Sequence, residues 1–278
     1  MIGGLKNILA VAKTEFRIGL RNRWVILAAL ILLAFAGVLS FVGGAPGAAG
    51  HINRLTVTVA SLATLSVYLV PLLALLLSFD AIAGEIDRGT LSLLLATPVS
   101  RLSVIAGKFT GHFAVIAIAV LIGFGGPGLY LYFDAPSAGA AADLVRLIAT
   151  SAMLGAVFIC IGYVVSALAQ SSGLAAALAV GVWLSATVLF DLALLGALVA
   201  DQGGAFSKEV FPWLLAANPA DAFRLYNMSA LDLGANATGL SGAGDALGYD
   251  PRLAILSLGT WIAGAFAAAV LAFRRLQP

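Results

Sequence analysis

Few side chains in this sequence could do chemistry, and their positions limit what that chemistry is. Asp191 lies within an apolar stretch, LFDLALL, nearer its outer end. Asp80 and His112 fall at the boundaries of other apolar stretches, where water is expected to reach them, and the single cysteine, Cys160, lies inside another. An ionised side chain at bilayer depth costs at least about 2.5 kcal/mol and so faces a partner or a cavity. Asp191 therefore reads either as a packing residue held by a hydroxyl or backbone group, or as part of a pathway or gate. No chain of acids, histidines and arginines crosses the apolar stretches, as proton-coupled carriage requires. No serine is matched with a histidine, nor aspartate with aspartate, in the manner of an intramembrane protease. A Walker-type glycine loop is absent from the sequence, so ATP hydrolysis is not expected in this chain. One cysteine permits neither a disulfide nor a thiolate cluster, and His51 stands alone without a second ligand at metal spacing. The expectation is a non-catalytic chain with no cofactor or metal of its own.

The elements that position these residues follow from composition. Of 278 residues, 62% are hydrophobic and 10% charged, against about 25% charged in soluble domains. Several apolar runs reach the roughly 20 residues that a helix needs to cross a bilayer, whereas a barrel would show alternating segments of about 10. Spans are expected near 24–42, 56–79, 109–132, 145–168, 174–199 and 252–273. The first reads as a retained span, because no small-residue cleavage site follows it promptly. Six crossings place both termini on one side. That side would hold Lys6, Lys13, Arg17, Arg21, Arg23, Arg88, Arg101, Lys108, Arg274 and Arg275, and the other only Arg54, Arg146, Lys208, Arg224 and Arg252. The excess predicts cytoplasmic termini. The net charge of +2 follows from this topology and calls for no nucleic acid. With no internal repeat, the fold class is an all-α membrane protein of one six-helix domain spanning 1–278. A single bundle of this size has little room for a lined pathway, which favours a homodimer or a larger assembly.

Three polar or amphipathic segments stand outside the spans. Residues 1–23 carry Leu5, Ile8, Leu9, Ala12, Phe16 and Leu20 at spacings of three and four, opposite Lys6, Lys13, Thr14, Arg17 and Arg21. This predicts an interfacial helix with its basic face toward anionic lipid head groups. Residues 200–250 are the longest polar segment, expected outside, with short interfacial or re-entrant helices starting at Pro212 and Pro219 and the stretch GANATGLSGAGD after them. Between the second and third spans, residues 80–108 hold IAGEIDRGTLSLLLATPVSR. Gly89 and Thr90 supply a turn and an N-cap, Leu91 to Ala96 form under two turns of helix, about 9 Å, and Thr97 and Pro98 stop it. Exposed leucines on such a stub suit a groove on a soluble partner, which could then move the stub as a rigid body.

The spacing Glu85, Gly89, Thr90, Leu91, Leu94, Leu95, Pro98 and Arg101 resembles the segment after the second span in permeases of type-2 ATP-binding-cassette exporters. The first helix, with Lys13, Glu15, Phe16 and Arg17, is similar to that family's interfacial connecting helix. Together with VLFDLALLGAL and NPADAFRLYNMS, the segment SFDAIAGEIDRGTLSLLLATP further resembles the permeases of nitrous-oxide-reductase maturation systems, over nearly the whole chain. The resemblance implies that residues 80–108 couple to a cytoplasmic ATPase subunit that carries ATP and magnesium. It implies a homodimer in the bacterial inner membrane, and a periplasmic β-helical copper-handling partner met by Pro219, Asp221, Phe223, Arg224 and Met228. It also implies a role in assembling the copper centre of nitrous oxide reductase, by mechanical transmission or by export of a sulfur species. A copper pore in this chain is not expected, since only Met153, Met228 and Cys160 supply soft ligands beyond Met1. The alternative is a general drug, lipid or small-molecule exporter with a pathway at the dimer interface, where Gly123, Gly125, Gly126 and Gly128 would either line the path or pack helices.

Overall fold

The computed structural model describes residues 2–42, 54–96, 99–134, 138–169, 171–201, 204–229 and 251–276. His51, Pro98 and the stretch GANATGLSGAGD lie outside them, as do the side chains of Leu94 and Leu95. Every regular element among the described residues is helical. Helix α1 (Ile2–Arg21) turns by 65° into α2 (Arg23–Val42). Helix α3 (Arg54–Ser78) runs almost directly into the short α4 (Asp80–Asp87), and α5 (Leu91–Ala96) follows. The long α6 (Arg101–Asp134) and α7 (Ala138–Leu168) cross next. Helix α8 (Ser172–Leu184) continues through a π-helical turn, Ser185–Leu189, into α9 (Phe190–Asp201). A second π turn (Phe206–Val210), α10 (Phe211–Ala217) and α11 (Pro219–Ser229) come before α12 (Pro251–Arg275).

Five of the described helical rods are long and apolar enough to cross a membrane, and the bent α1–α2 pair brings the number to as many as six. Helices α3 and α7 form the centre: 61% of the apolar window of each is buried, against 17% for the rod from Ser172 to Asp201. That rod therefore presents most of its Leu and Val side chains outward. At bilayer depth this costs nothing, since lipid tails are as apolar as leucine.

Helix α6 has 34 residues and is about 51 Å long, well beyond a hydrocarbon core of about 30 Å. Its first turns extend out of the bundle to receive α1. Small residues allow the contact: a Cβ on Gly107 would come within 2.9 Å of the Ile8 carbonyl oxygen, and one on Gly111 within 2.6 Å of that of Ala12. The face of α1 that packs is thus Ile8, Val11, Ala12, Glu15 and Gly19. Leu5, Leu9 and Leu20 of the expected apolar stripe remain outside, with Lys13 and Arg17 also exposed. Farther along α6, Gly123 and Gly128 abut Leu32 of α2 and Leu144 of α7, and so are packing sites, whereas Gly126 faces open space.

Both termini lie on one side. Arg101, at the start of α6, donates to the carbonyls of Phe273, Arg274 and Leu276 at 2.9, 2.6 and 2.9 Å. It caps the last helix, whose final carbonyls would otherwise lack donors. Arg101, one of the residues that the resemblance assigns to the ATPase-coupling segment, thus turns its guanidinium toward the end of the last helix.

Candidate functional site

The turn after α4 explains why the chain needs Gly89. The Thr90 amide donates to the Glu85 carbonyl at 2.9 Å and the Gly89 amide to that of Ile86 at 3.0 Å, the paired bonds that close a helix with a left-handed residue. Gly89 has φ of 66°, a conformation that side-chain-bearing residues rarely adopt. The Thr90 hydroxyl turns back to the Glu85 carbonyl at 3.3 Å, so it helps finish α4 where the sequence suggested a cap for α5. On the stub itself, Leu91 is buried and Leu93 is 70% exposed. Among the stub leucines whose side chains are described, the one presented outward is thus one that the spacing did not single out.

Behind the stub, Glu85 does not face outward. Lys108 of α6, nearly inaccessible, donates to Glu15 of α1 at 2.5 Å and to Glu85 of α4 at 2.7 Å. Glu15 also pairs with His112 Nε2 at 3.3 Å, and His112 Nδ1 bonds the Tyr163 hydroxyl of α7 at 2.8 Å. His112, which the sequence placed at a wetted boundary, is buried, as is Tyr163. Burial pushes the Glu15 carboxyl up, but the His112 hydrogen bond and the Lys108 charge outweigh it and hold it down to about 2. Four helices are thereby joined through one lysine and one histidine. A cavity of about 500 Å³ reaches this network, bordered by Asp80, Glu85, Arg88 and Asn22.

Helix α4 is also tied to α7. The Ser166 hydroxyl accepts the amides of Ile82 and Ala83, both at 2.9 Å, donors that the first turn of a helix leaves without partners. Asp87 accepts from the amide of Ser172 at 2.7 Å and from its hydroxyl. The stub therefore rests on a short helix fastened at both ends.

A second cluster joins α9 to α11. Asp191 pairs with Arg224 at 2.7 Å, and Arg224 lies 3.1 Å from Asp221. The partner of Asp191 is thus a guanidinium from α11, not the hydroxyl or backbone group expected. Both oxygens of Asp221 and one of Asp191 are buried without a hydrogen-bond partner. Burial raises the Asp221 carboxyl, Arg224 opposes this and the Asp191 charge adds to it, with a net shift upward. Two carboxylates facing one cation leave an excess negative charge, which favours the protonated form of Asp221.

Asn227 of α11 bonds Thr150 of α7 at 3.0 Å, and Asn218 donates to the Ala186 carbonyl in the first π turn at 2.8 Å. Pro219, Asp221, Phe223 and Met228, expected to meet an outer partner, are buried within this chain, and Arg224 is turned inward with them. The reason is charge: Arg224 carries α11 into the bundle toward Asp191. Trp213 of α10, 66% exposed, takes the outward position. The π turn had no sequence signal, because its extra residue is stabilised by Asn218, 32 positions away.

Among the described residues, no group of three or more His, Cys, Asp or Glu could hold a metal ion. The sequence pattern of the ABC-2 family transporter proteins matches residues 9–276. The chain belongs to that family. This ABC-2 family member is 38% identical over 276 residues to the "Probable ABC transporter permease protein NosY" of Stutzerimonas stutzeri, covering 98% of this chain and 99% of that protein. It is 40% identical over 273 residues to the protein of the same name from Pseudomonas aeruginosa, covering 96% and 98%. It is accordingly a multi-pass membrane permease of the ABC-2 type, whose family works with an ATPase subunit.

Proposed function

We propose that this permease couples a cytoplasmic ATP-binding-cassette ATPase to a partner on the outer face, in assembling the copper centre of nitrous oxide reductase. The observation that carries the reading is Lys108, which fastens α4 to α1 and α6 directly behind the exposed stub. Force applied to α5 is passed to α4 through the tight turn at Gly89. From α4 it reaches α7 through Ser166, and α7 meets α11 through Thr150. Ser166 and Thr150 are separated by about 24 Å of continuous helix. A rigid rod between two polar anchors suits movement of packed elements as bodies. The names of the relatives and the resemblance to nitrous-oxide-reductase maturation permeases supply the narrower assignment. In this reading two copies pair in the bacterial inner membrane with termini in the cytoplasm, and a β-helical copper-handling protein sits above them.

The test is the reconstituted complex carrying Lys108→Gln or Leu93→Arg. Lys108→Gln is expected to leave ATPase binding intact while abolishing both stimulation of ATP hydrolysis and copper-centre assembly. Leu93→Arg is expected to weaken ATPase binding itself. Full assembly of the copper centre with both variants would overturn the reading.

A second reading, an exporter with a pathway beside the bundle, is favoured by one feature. An apolar cavity of about 680 Å³ lies between α8, the first π turn, α10 and α12, bordered by Phe190, Leu214 and Trp261. Translocation of a defined sulfur species or amphiphile into vesicles, lost on Ala186→Trp, would select it.

A further inference from the structure

The bend between α1 and α2 holds a separate feature, independent of the network and of the proposed function. An apolar groove of about 200 Å³ opens there, lined by Leu20 at the end of α1, Ile26 and Ala29 of α2, and Ile118, Ala119 and Ile122 of α6. No lining side chain carries a polar group, and Ile26 and Ile122 remain exposed at its edge. Immediately beside it in the chain, between the lining residues Leu20 and Val25, stand Arg21 and Arg23. Both are exposed and neither has an ion-pair partner among the described residues. Glu15, the one acid of α1, is already committed to Lys108 and His112.

An apolar slot whose lining residues Leu20 and Val25 flank two uncompensated arginines in the chain matches a molecule that is half hydrocarbon and half anion. Basic pockets between helices near the membrane surface hold anionic head groups. The planar guanidinium fork also suits phosphate oxygens better than an ammonium does. A second copy of this chain seated symmetrically here would bring the same cations against one another and is a poor occupant. We propose that the α1–α2 bend binds one anionic phospholipid, with its phosphate on Arg21 and Arg23 and part of an acyl chain in the groove. The lipid would act as a wedge that fixes the 65° angle between the interfacial helix and the first span.

Native mass spectrometry of the full-length protein, taken from bilayers of phosphatidylcholine mixed with phosphatidylglycerol, reads this out. The unaltered protein is expected to retain one phosphatidylglycerol in preference to phosphatidylcholine. Each arginine near an anionic surface contributes about fivefold in affinity, so R21Q/R23Q should lower the preference by about thirtyfold. A29L/A119L, which fills the groove, should reduce retention of both lipids. K6Q/K13Q, which removes equal charge from the first half and middle of α1, should leave the bound lipid in place. Equal losses from the lysine and arginine pairs would show diffuse surface attraction and overturn the proposal. Retention unaffected by A29L/A119L, or equal retention of the two lipids by the unaltered protein, would overturn it as well.

Discussion

Lys108 holds two carboxylates out of water at once, and its removal is costly because those carboxylates stay behind. Breaking a buried ion pair by deleting one partner costs about 3–5 kcal/mol. Lys108→Met should therefore lower the melting temperature of the purified permease more than Glu85→Gln does, since the latter leaves Lys108 with Glu15. Adding Glu15→Gln and Glu85→Gln to Lys108→Met should restore most of the loss, which thermal unfolding in detergent would show. Acidity offers a second measure at this scale. Glu15 is held down to about 2 from an ordinary 4.5, so the folded state binds fewer protons than the unfolded one. The stabilisation it gives is present above about 4.5 and is lost as pH falls toward 2, a slope that Glu15→Gln should flatten. Neither contact could be read from the sequence. Glu15 and Lys108 lie 93 positions apart, and charge patterning within each helix shows only that each sits on a polar arc.

At the scale of elements, the helix α4 depends on Ser166, whose hydroxyl serves two amides of its first turn. Ser166→Ala leaves those amides buried without an acceptor, at about 1–3 kcal/mol. It should also speed exchange of the Ile82 and Ala83 amides with deuterium, while exchange in α12 stays unchanged. The element itself was legible: Gly89 marked a chain reversal and the leucine run marked a short helix, because turn chemistry and helix termination act over a few residues. That Leu91 turns inward and Leu93 outward was not, since that depends on how α5 is set against α4, which itself packs on α7. The interfacial helix shows the same division. Its periodicity declared an amphipathic helix, but the groove cut by Gly107 and Gly111 decided which side of it α6 receives.

Across the whole molecule, both polar clusters lie on helices tied to α7: the first meets it through Tyr163, and α11, which carries Arg224, meets it through Thr150. Arg224 ties α11 to α9 through Asp191, so Arg224→Met should leave Asp191 and Asp221 facing each other and cost about 3–5 kcal/mol. Asp191→Asn combined with Asp221→Asn should recover most of that stability in the Arg224→Met background, again by thermal unfolding. Failure of this rescue would show that Arg224 supports α11 through its packing and not its charge. The sequence by itself determined the helical class and the short stub, because hydropathy over about 20 residues and glycine at a left-handed turn are local quantities. Only the tertiary structure decided that Glu85, Arg101, Asp221 and Arg224 turn inward. A buried charge takes whatever opposite charge the packing brings within reach, and that neighbour lies on another helix, tens of residues away.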